Sequence, residues 1–382
     1  MNNIAGTKSS LTWAVHISVA VLVIAWLLPT VGLFVSSFRT ADQIATSGWW
    51  KALFSQEQTL SLRAAPAEEQ VQVGNLYVIE GQIFESEARP EIQTWGISSR
   101  AVDAFIPGDS AELRGGGIFT LDVDGTYRIE NTEPFDVSRG QRVFITAEVP
   151  PEFTLNNYYT VVFDPNNIEG MSKAFINTLT VTIPATIIPI LIAAFAAYAL
   201  AWMEFPGRAL LIAAVVGLLV VPLQLALIPL LKFHNDIGIG KGYIGVWLAH
   251  TGFGMPMAIY LLRNYMVGLP RDIIENARVD GATEFQIFIK IILPLSFPAL
   301  ASFAIFQFLW TWNDLLVSLV FLIDSTGETT VMTKQIVEIL GTRGGNWEIL
   351  ATAAFVSIIV PLIVFFAMQK YLVRGMLAGS VK

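Results

Sequence analysis

Six apolar runs, near residues 11–37, 174–203, 209–231, 243–268, 295–323 and 349–373, constrain this chain more than any other feature of it. A run of about 20 apolar residues crosses the hydrocarbon of a bilayer as a helix. The helix is required because no water there satisfies loose backbone groups. The runs therefore predict an all-α polytopic membrane protein with six transmembrane helices. Composition agrees: 54% of the 382 residues are hydrophobic and 14% charged, against about 25% charge in soluble domains. The first run is read as an uncleaved anchor and not as a signal peptide. Its apolar stretch from Leu11 to Phe38 is too long for a signal-peptide core, and no small-x-small cleavage site follows promptly.

Charge is unevenly spread. Residues 39–173 hold ten Lys/Arg and twenty Asp/Glu, a net of −10, while the rest holds thirteen and eleven, a net of +2. One acidic soluble region is thus set into a near-neutral membrane body, which excludes the basic face a nucleic-acid partner would need. The region alternates with the strand period in GNLYVIEGQIF (74–84) and QRVFITAEV (141–149). Between them, GIFTLDVDGTYRIEN (117–131) reads as a hairpin turning at Asp124-Gly125, a pair suited to a type I′ turn. Pro150-Pro151 marks the exit. The expected organisation is an N-terminal segment with the first helix (1–56), an inserted β-rich extracytoplasmic domain between helices 1 and 2 (57–152), and a five-helix core (153–382). The absence of cysteine rules out disulfides, thiolate metal sites and cysteine nucleophiles. His16, His234 and His250 are too scattered to make a metal site.

Sidedness follows from the short loops. With the N-terminus in the cytoplasm, the inner side collects Lys8, Arg208, Arg263, Arg271, Arg278, Lys290, Lys370, Arg374 and Lys382, and the short outer loops keep Lys232, Lys241, Lys334 and Arg343. That bias obeys the positive-inside rule; the long acidic segment is left out because long domains translocate largely regardless of charge. Both termini and the segment between the fourth and fifth runs then face the cytoplasm.

That segment contains ENARVDGATEFQIFIKIILP (275–294). Pro270 suits the first turn of a helix, where a missing N–H costs nothing. Arg271 to Val279 then forms a short helix with Ile273, Ile274 and Ala277 on one face. Asp280-Gly281 breaks it, since glycine takes backbone angles closed to other residues. Thr283 and Gln286 have capping-box spacing, starting a second helix to Ile292 with Phe285, Phe288, Ile289 and Ile292 at helical spacing. Pro294 marks the entrance to the fifth run. Physics alone leaves two readings open: an ordinary inner loop, or a protrusion built for a partner.

The residues resemble the loop of bacterial ABC importer permeases, which runs Glu-Ala-Ala, three residues, Gly, nine residues, then Ile-x-Leu-Pro. Glu275, Ala277, Gly281, Ile291, Leu293 and Pro294 stand at the matching spacing, and Asn276 departs from it, Asn being a poorer helix former than Ala. The tail YLVRGMLAGSVK (371–382), FTLNNYYTVVF (153–163), AAYALAWMEFPGR (196–208) and WND (312–314) are similar to the smaller permease subunit of maltose-type sugar importers. The resemblance covers residues 10–55 and 153–382 but not the inserted domain. A chain of this kind with so large an insert most resembles the permeases of α-glucoside importers.

The resemblance implies the type I ABC importer permease fold and a subunit forming half of the pathway for a carbohydrate, a disaccharide or α-glucoside. Residues 269–294 would be a coupling loop docked in a cleft of a separate ATP-binding subunit. Glu275 matches a carboxylate that pairs with a basic residue there. Gly281 matches a bend residue where a side chain would obstruct backbone approach, and Asn276, Ala277, Asp280, Ala282, Ile291, Leu293 and Pro294 complete the contact. Gly375, Ala378, Gly379, Ser380 and Val381 belong to a tail similar to one reaching between two ATP-binding subunits. The partners implied are a second, larger permease of the maltose type, a homodimer of ATP-binding subunits, an extracytoplasmic sugar-binding protein and the lipid of a bacterial inner membrane. The chain would be a transport subunit and not an enzyme, with no cofactor of its own: ATP and Mg would be held by the partner.

Weaker signals remain. GIGKGY (238–243) imitates a phosphate loop, but Asn235 stands where a glycine is needed and Gly242 where a Ser/Thr would ligate magnesium. Asp314 lies in an apolar run, where a carboxylate is costly. With Gln307, Trp310, Trp312, Asn313 and Gln224 it would line the pathway, or else bond helix to helix. The β domain would dock the binding protein or brace the companion permease. An intramembrane enzyme is disfavoured by the lack of a His-Glu-x-x-His or other catalytic constellation in the runs, and a membrane-anchored sensor leaves the bent hairpin unexplained. Within transporters the alternatives are glycerol phosphate and polyamines.

Overall fold

The computed structural model describes residues 10–84, 90–135, 140–164, 170–322, 326–342 and 345–377. The chain forms two compact units, Met1–Thr154 and Leu155–Lys382.

The first unit opens with α1 (Ser10–Ser36), whose large apolar side chains are exposed along its length. The short α2 (Ala41–Thr46) follows, wrapped around Arg39, which is 2% exposed and donates from Nη2 to the Gln43 carbonyl at 2.6 Å and from Nη1 to that of Ser47 at 2.9 Å. Arg39 bridges Phe153, and the Thr154 N–H donates to the Phe38 carbonyl at 2.7 Å. The strand region therefore leaves and rejoins the chain at one place.

That region comprises β1 (Gln56–Arg63), β2 (Val71–Val73), β3 (Leu76–Gln82), β4 (Ile92–Gly96), β5 (Ser110–Glu112), β6 (Ile118–Leu121), β7 (Thr126–Asn131) and β8 (Arg142–Val149). They make two antiparallel sheets, ordered β1-β8-β4 and β2-β3-β7-β6-β5. Period-two alternation sends Val143, Ile145 and Ala147 of β8 inward, where they meet Trp95, Phe119, Leu121, Tyr127 and Ile129. The Trp95 indole, fully buried, donates to the Ile106 carbonyl at 3.0 Å. The β6–β7 turn is not type I′, which needs positive φ at both central residues. Only Gly125 takes it, at +84°, and the Gly125 N–H donates to the Asp122 carbonyl at 3.0 Å. The turn spans Asp122 to Gly125, with glycine at its last position.

The second unit begins with α3 (Asn156–Tyr158) and a π-turn (Tyr159–Phe163), followed by α4 (Met171–Trp202), α5 (Arg208–Leu218), α6 (Leu223–Asp236) and α7 (Tyr243–Val267). After α8 (Arg271–Val279) and α9 (Glu284–Ile287) come a π-turn (Phe288–Ile292), α10 (Leu293–Leu295), α11 (Phe297–Trp312), α12 (Leu316–Phe321), α13 (Met332–Thr342) and α14 (Trp347–Leu377). Small residues let α4 and α7 approach closely: Ala185, Ala193, Ala194 and Ala197 of α4 and Ala249 and Ala258 of α7 are buried.

Among the described residues, α1, α4, α7 and α14 are long and apolar enough to span a membrane, and two bent pairs raise the number to six only if each pair counts as one span. The straight helices expected at 209–231 and 295–323 are absent. The first is broken between α5 and α6, which meet at 110°. Pro222 disfavours helix in the residue before it and caps the helix after it. In the second, α11 is bent 70° from the helix before it and ends at Trp312. There Asp314 turns its carboxylate back onto the chain, as described below.

Candidate functional site

The hairpin between α7 and α11 is built by two local devices. At the end of α8, Gly281 takes φ +83°, its N–H donates to the Arg278 carbonyl at 3.0 Å, and the Ala282 N–H donates to that of Ala277 at 3.0 Å. These are the paired bonds of a glycine-terminated helix. An added Cβ at Gly281 would meet nothing within 4 Å of this chain. The constraint within the chain is thus the backbone angle and not crowding. At the start of α9, the Gln286 N–H donates to Thr283 Oγ1 at 3.3 Å and the Thr283 N–H to Gln286 Oε1 at 2.9 Å, the reciprocal box that the spacing predicts.

One face of the hairpin is sealed against the C-terminal ends of α4 and α7. Ile274, Ile287, Phe288 and Ile292 are buried with Tyr198, Leu262 and Met266. The Phe288 ring lies 4.6 Å from Phe195 and 5.3 Å from Tyr198. The Tyr198 hydroxyl donates to Glu284 Oε2, and Arg278 Nε donates to Glu284 Oε1 at 2.9 Å. Hydrogen bonding to Glu284 holds Arg278 above the ordinary guanidinium value. The apolar face differs from the periodic expectation: Phe285, Ile289 and Ile273 are exposed, and Ile287 takes the inward place. In the second limb the π-turn at Phe288–Ile292 widens the spacing after Ile287, which leaves Ile289 outside the buried face.

The opposite face stands free. Glu275, Asn276, Asp280 and Gly281 are exposed, with Val279 at 86% and Phe285 at 64%. Ala277, Ala282 and Leu293 pack inward at the hairpin's edge, Ile291 is half-buried, and Pro294 is exposed. Val279 escaped the sequence reading, although its place one turn after Glu275 puts the two on one face. Of the tail, Gly375 falls within α14, and Ala378, Gly379, Ser380 and Val381 lie outside the described residues.

The polar residues of the apolar runs do not form one group. Gln307, 2% exposed, donates to the Ala185 carbonyl at 3.1 Å and the His250 carbonyl at 3.4 Å, joining three helices. Trp312 is buried and donates to the Ser357 carbonyl at 3.0 Å. Asp314 Oδ2 accepts the N–H groups of Val317 at 3.0 Å and Ser318 at 3.2 Å, capping α12. Asn313 and Gln224 are exposed, the former donating to the Leu309 carbonyl at 2.8 Å. Trp310 borders a cavity of about 540 Å³ with Leu219, Leu223, Phe253 and Met257. Among the described residues, no three His, Cys, Asp or Glu gather to hold a metal ion. GIGKGY is the loop joining α6 to α7, with Gly238, Gly240 and Gly242 at positive φ.

Long apolar helices around buried polar links, with a bent amphipathic hairpin that exposes one face among the described residues, define a helical membrane protein. The chain belongs to the family described as binding-protein-dependent transport system inner membrane component, which matches residues 174–378. It is 59% identical over 380 residues, 98% of each chain, to the alpha-glucoside transport system permease protein AglG of Rhizobium meliloti. It is 56% identical over 231 residues, 60% of this chain and 76% of the relative, to the osmoprotective compounds uptake permease protein GgtD of Synechocystis. A chain of the bacterial ABC transporter that imports the acidic polysaccharide alginate aligns with 59% of this chain and 81% of its own, at 22% identity and a TM-score of 0.48. The protein is a transport component of the inner membrane and not an enzyme, and the transport its family carries out depends on a binding protein.

Proposed function

We propose that this permease carries an α-glucoside, and that residues 269–294 are its contact with the ATP-binding subunit. The substrate reading is supported by the full-length likeness to an alpha-glucoside permease. The contact reading is carried by one observation. A hairpin fixed on its inner face by Ile274, Ile287 and Phe288 leaves Glu275, Val279 and Phe285 outward. Exposed apolar side chains beside a carboxylate are what a docking cleft with a basic residue accepts.

In this reading each bent pair is one crossing, giving six, and both termini face the cytoplasm. Residues 57–152 form the extracytoplasmic insert between segments 1–56 and 153–382, docking the binding protein or bracing a second, larger permease of the maltose type. The tail 371–382 reaches the ATP-binding subunits. When those subunits close on ATP, the hairpin is displaced and the helices pass from inward-open to outward-open. The test uses the complex reconstituted with its ATP-binding subunits and binding protein. Glu275→Lys and Gly281→Asp should leave the permease inserted and abolish sugar-stimulated uptake; normal uptake by either overturns the contact reading.

A further inference from the structure

Motion of the hairpin has two routes into the membrane. Along the chain it passes the π-turn Phe288–Ile292 and the 70° bend before α11. The bend carries the buried Ser296 side chain, whose Oγ has no hydrogen-bond partner among the described residues. Wide turns and sharp bends are where helices yield. The second route runs sideways. Arg278 of α8 and Glu284 of α9 join the two limbs of the hairpin to each other, and Tyr198 joins Glu284 to α4. The Tyr198 ring is 5% exposed and packs on Phe288, so ring and hydroxyl hold the same limb at two points. Bonds to a charged acceptor are about twice as strong as neutral ones, and this one replaces a joint of the chain that bends.

We infer that Tyr198 is a positioning residue that conveys the displacement of the hairpin into α4, so that α4 moves with the hairpin as one body while α11 follows through its bend. The inference rests on the proposed contact with the ATP-binding subunit. Tyr198→Phe keeps the ring and removes only the hydroxyl, and Glu284→Gln removes the charge that strengthens the bond.

The test measures sugar taken up per ATP hydrolysed by the full reconstituted complex. Tyr198→Phe should assemble, with a melting temperature lowered by only a few degrees for the lost bond, and hydrolyse ATP within about twofold of the parent. Its uptake per ATP should fall about tenfold, the scale of one hydrogen bond to a charged group. Glu284→Gln alone should also lower uptake per ATP, and Arg278→Lys, which keeps a cation beside Glu284, should retain most of the coupling. A purely structural tyrosine would lower assembly, hydrolysis and uptake together, and that result overturns the inference. Unchanged uptake per ATP in Tyr198→Phe, with Gly281→Asp still inactive, also overturns it while leaving the contact reading intact. Normal uptake by Gly281→Asp removes both. The chain has no cysteine, so spin labels at Glu204→Cys and Arg271→Cys, both exposed and neither a named docking residue, give a second reading. Their separation should stay fixed between the nucleotide-free and ATP-bound complex, and a change in it overturns the inference.

Discussion

Nε2 of His250 stands 3.7 Å from Oδ2 of Asp314, with the two side chains 4% and 6% exposed. The carboxylate is already committed to the N–H groups of Val317 and Ser318, so it acts first as the cap of a helix that interrupts an apolar run. Asp314→Ala strips that cap and should destabilise the protein by about 1–3 kcal/mol, seen as a lower melting temperature in detergent. Asp314→Asn keeps an acceptor and should lose less. An Asn variant that melts normally yet has lost uptake would instead make Asp314 a contact on the sugar's route.

Gly281 predicts a local effect separable from docking. Any Cβ at φ +83° is strained, by about 1–2 kcal/mol for an ordinary residue and less for Asn. Gly281→Ala should therefore speed hydrogen exchange at the amides of residues 281 and 282, with Gly281→Asn intermediate, in the permease without its partners. Equal exchange in all three proteins would show that the bend tolerates side chains.

Tyr127 gives the β-sheet unit a dependence on alkaline pH. Burial holds its hydroxyl above the ordinary tyrosine value, and that oxygen accepts the Ala65 N–H at 2.7 Å. A raised value in the folded state means that the native form keeps its proton longer than the unfolded one. The stabilisation is whole below about pH 10 and is lost as pH rises through the folded value. Tyr127→Phe should cost about 1 kcal/mol at neutral pH and flatten the fall of melting temperature above pH 10. An unchanged slope would discount Tyr127 as its source.

The sequence showed where the chain is apolar better than how it bends. The capping box at Thr283 and Gln286 and the break at Gly281 were legible because they are local chemistry, settled within four residues. The face of α9 was not. Periodicity assumes 3.6 residues per turn, and the π-turn from Phe288 shifts the register, sending Ile289 outward. The interrupted runs were missed for a related reason. Hydropathy sums over Pro222 and Asp314 as single residues, whereas one withholds an N–H and the other captures two. Gln307 was recognised as a polar link, but its partners are the carbonyls of Ala185 and His250, which composition does not distinguish.

The elbow at residues 219–222 leaves Val220 81% and Val221 50% exposed where α5 turns into α6. Inside a bilayer, irregular backbone is tolerated only when protein or water covers it, never against acyl chains. If α5 and α6 together make one crossing, this elbow is a place where a second protein surface or water must meet the chain.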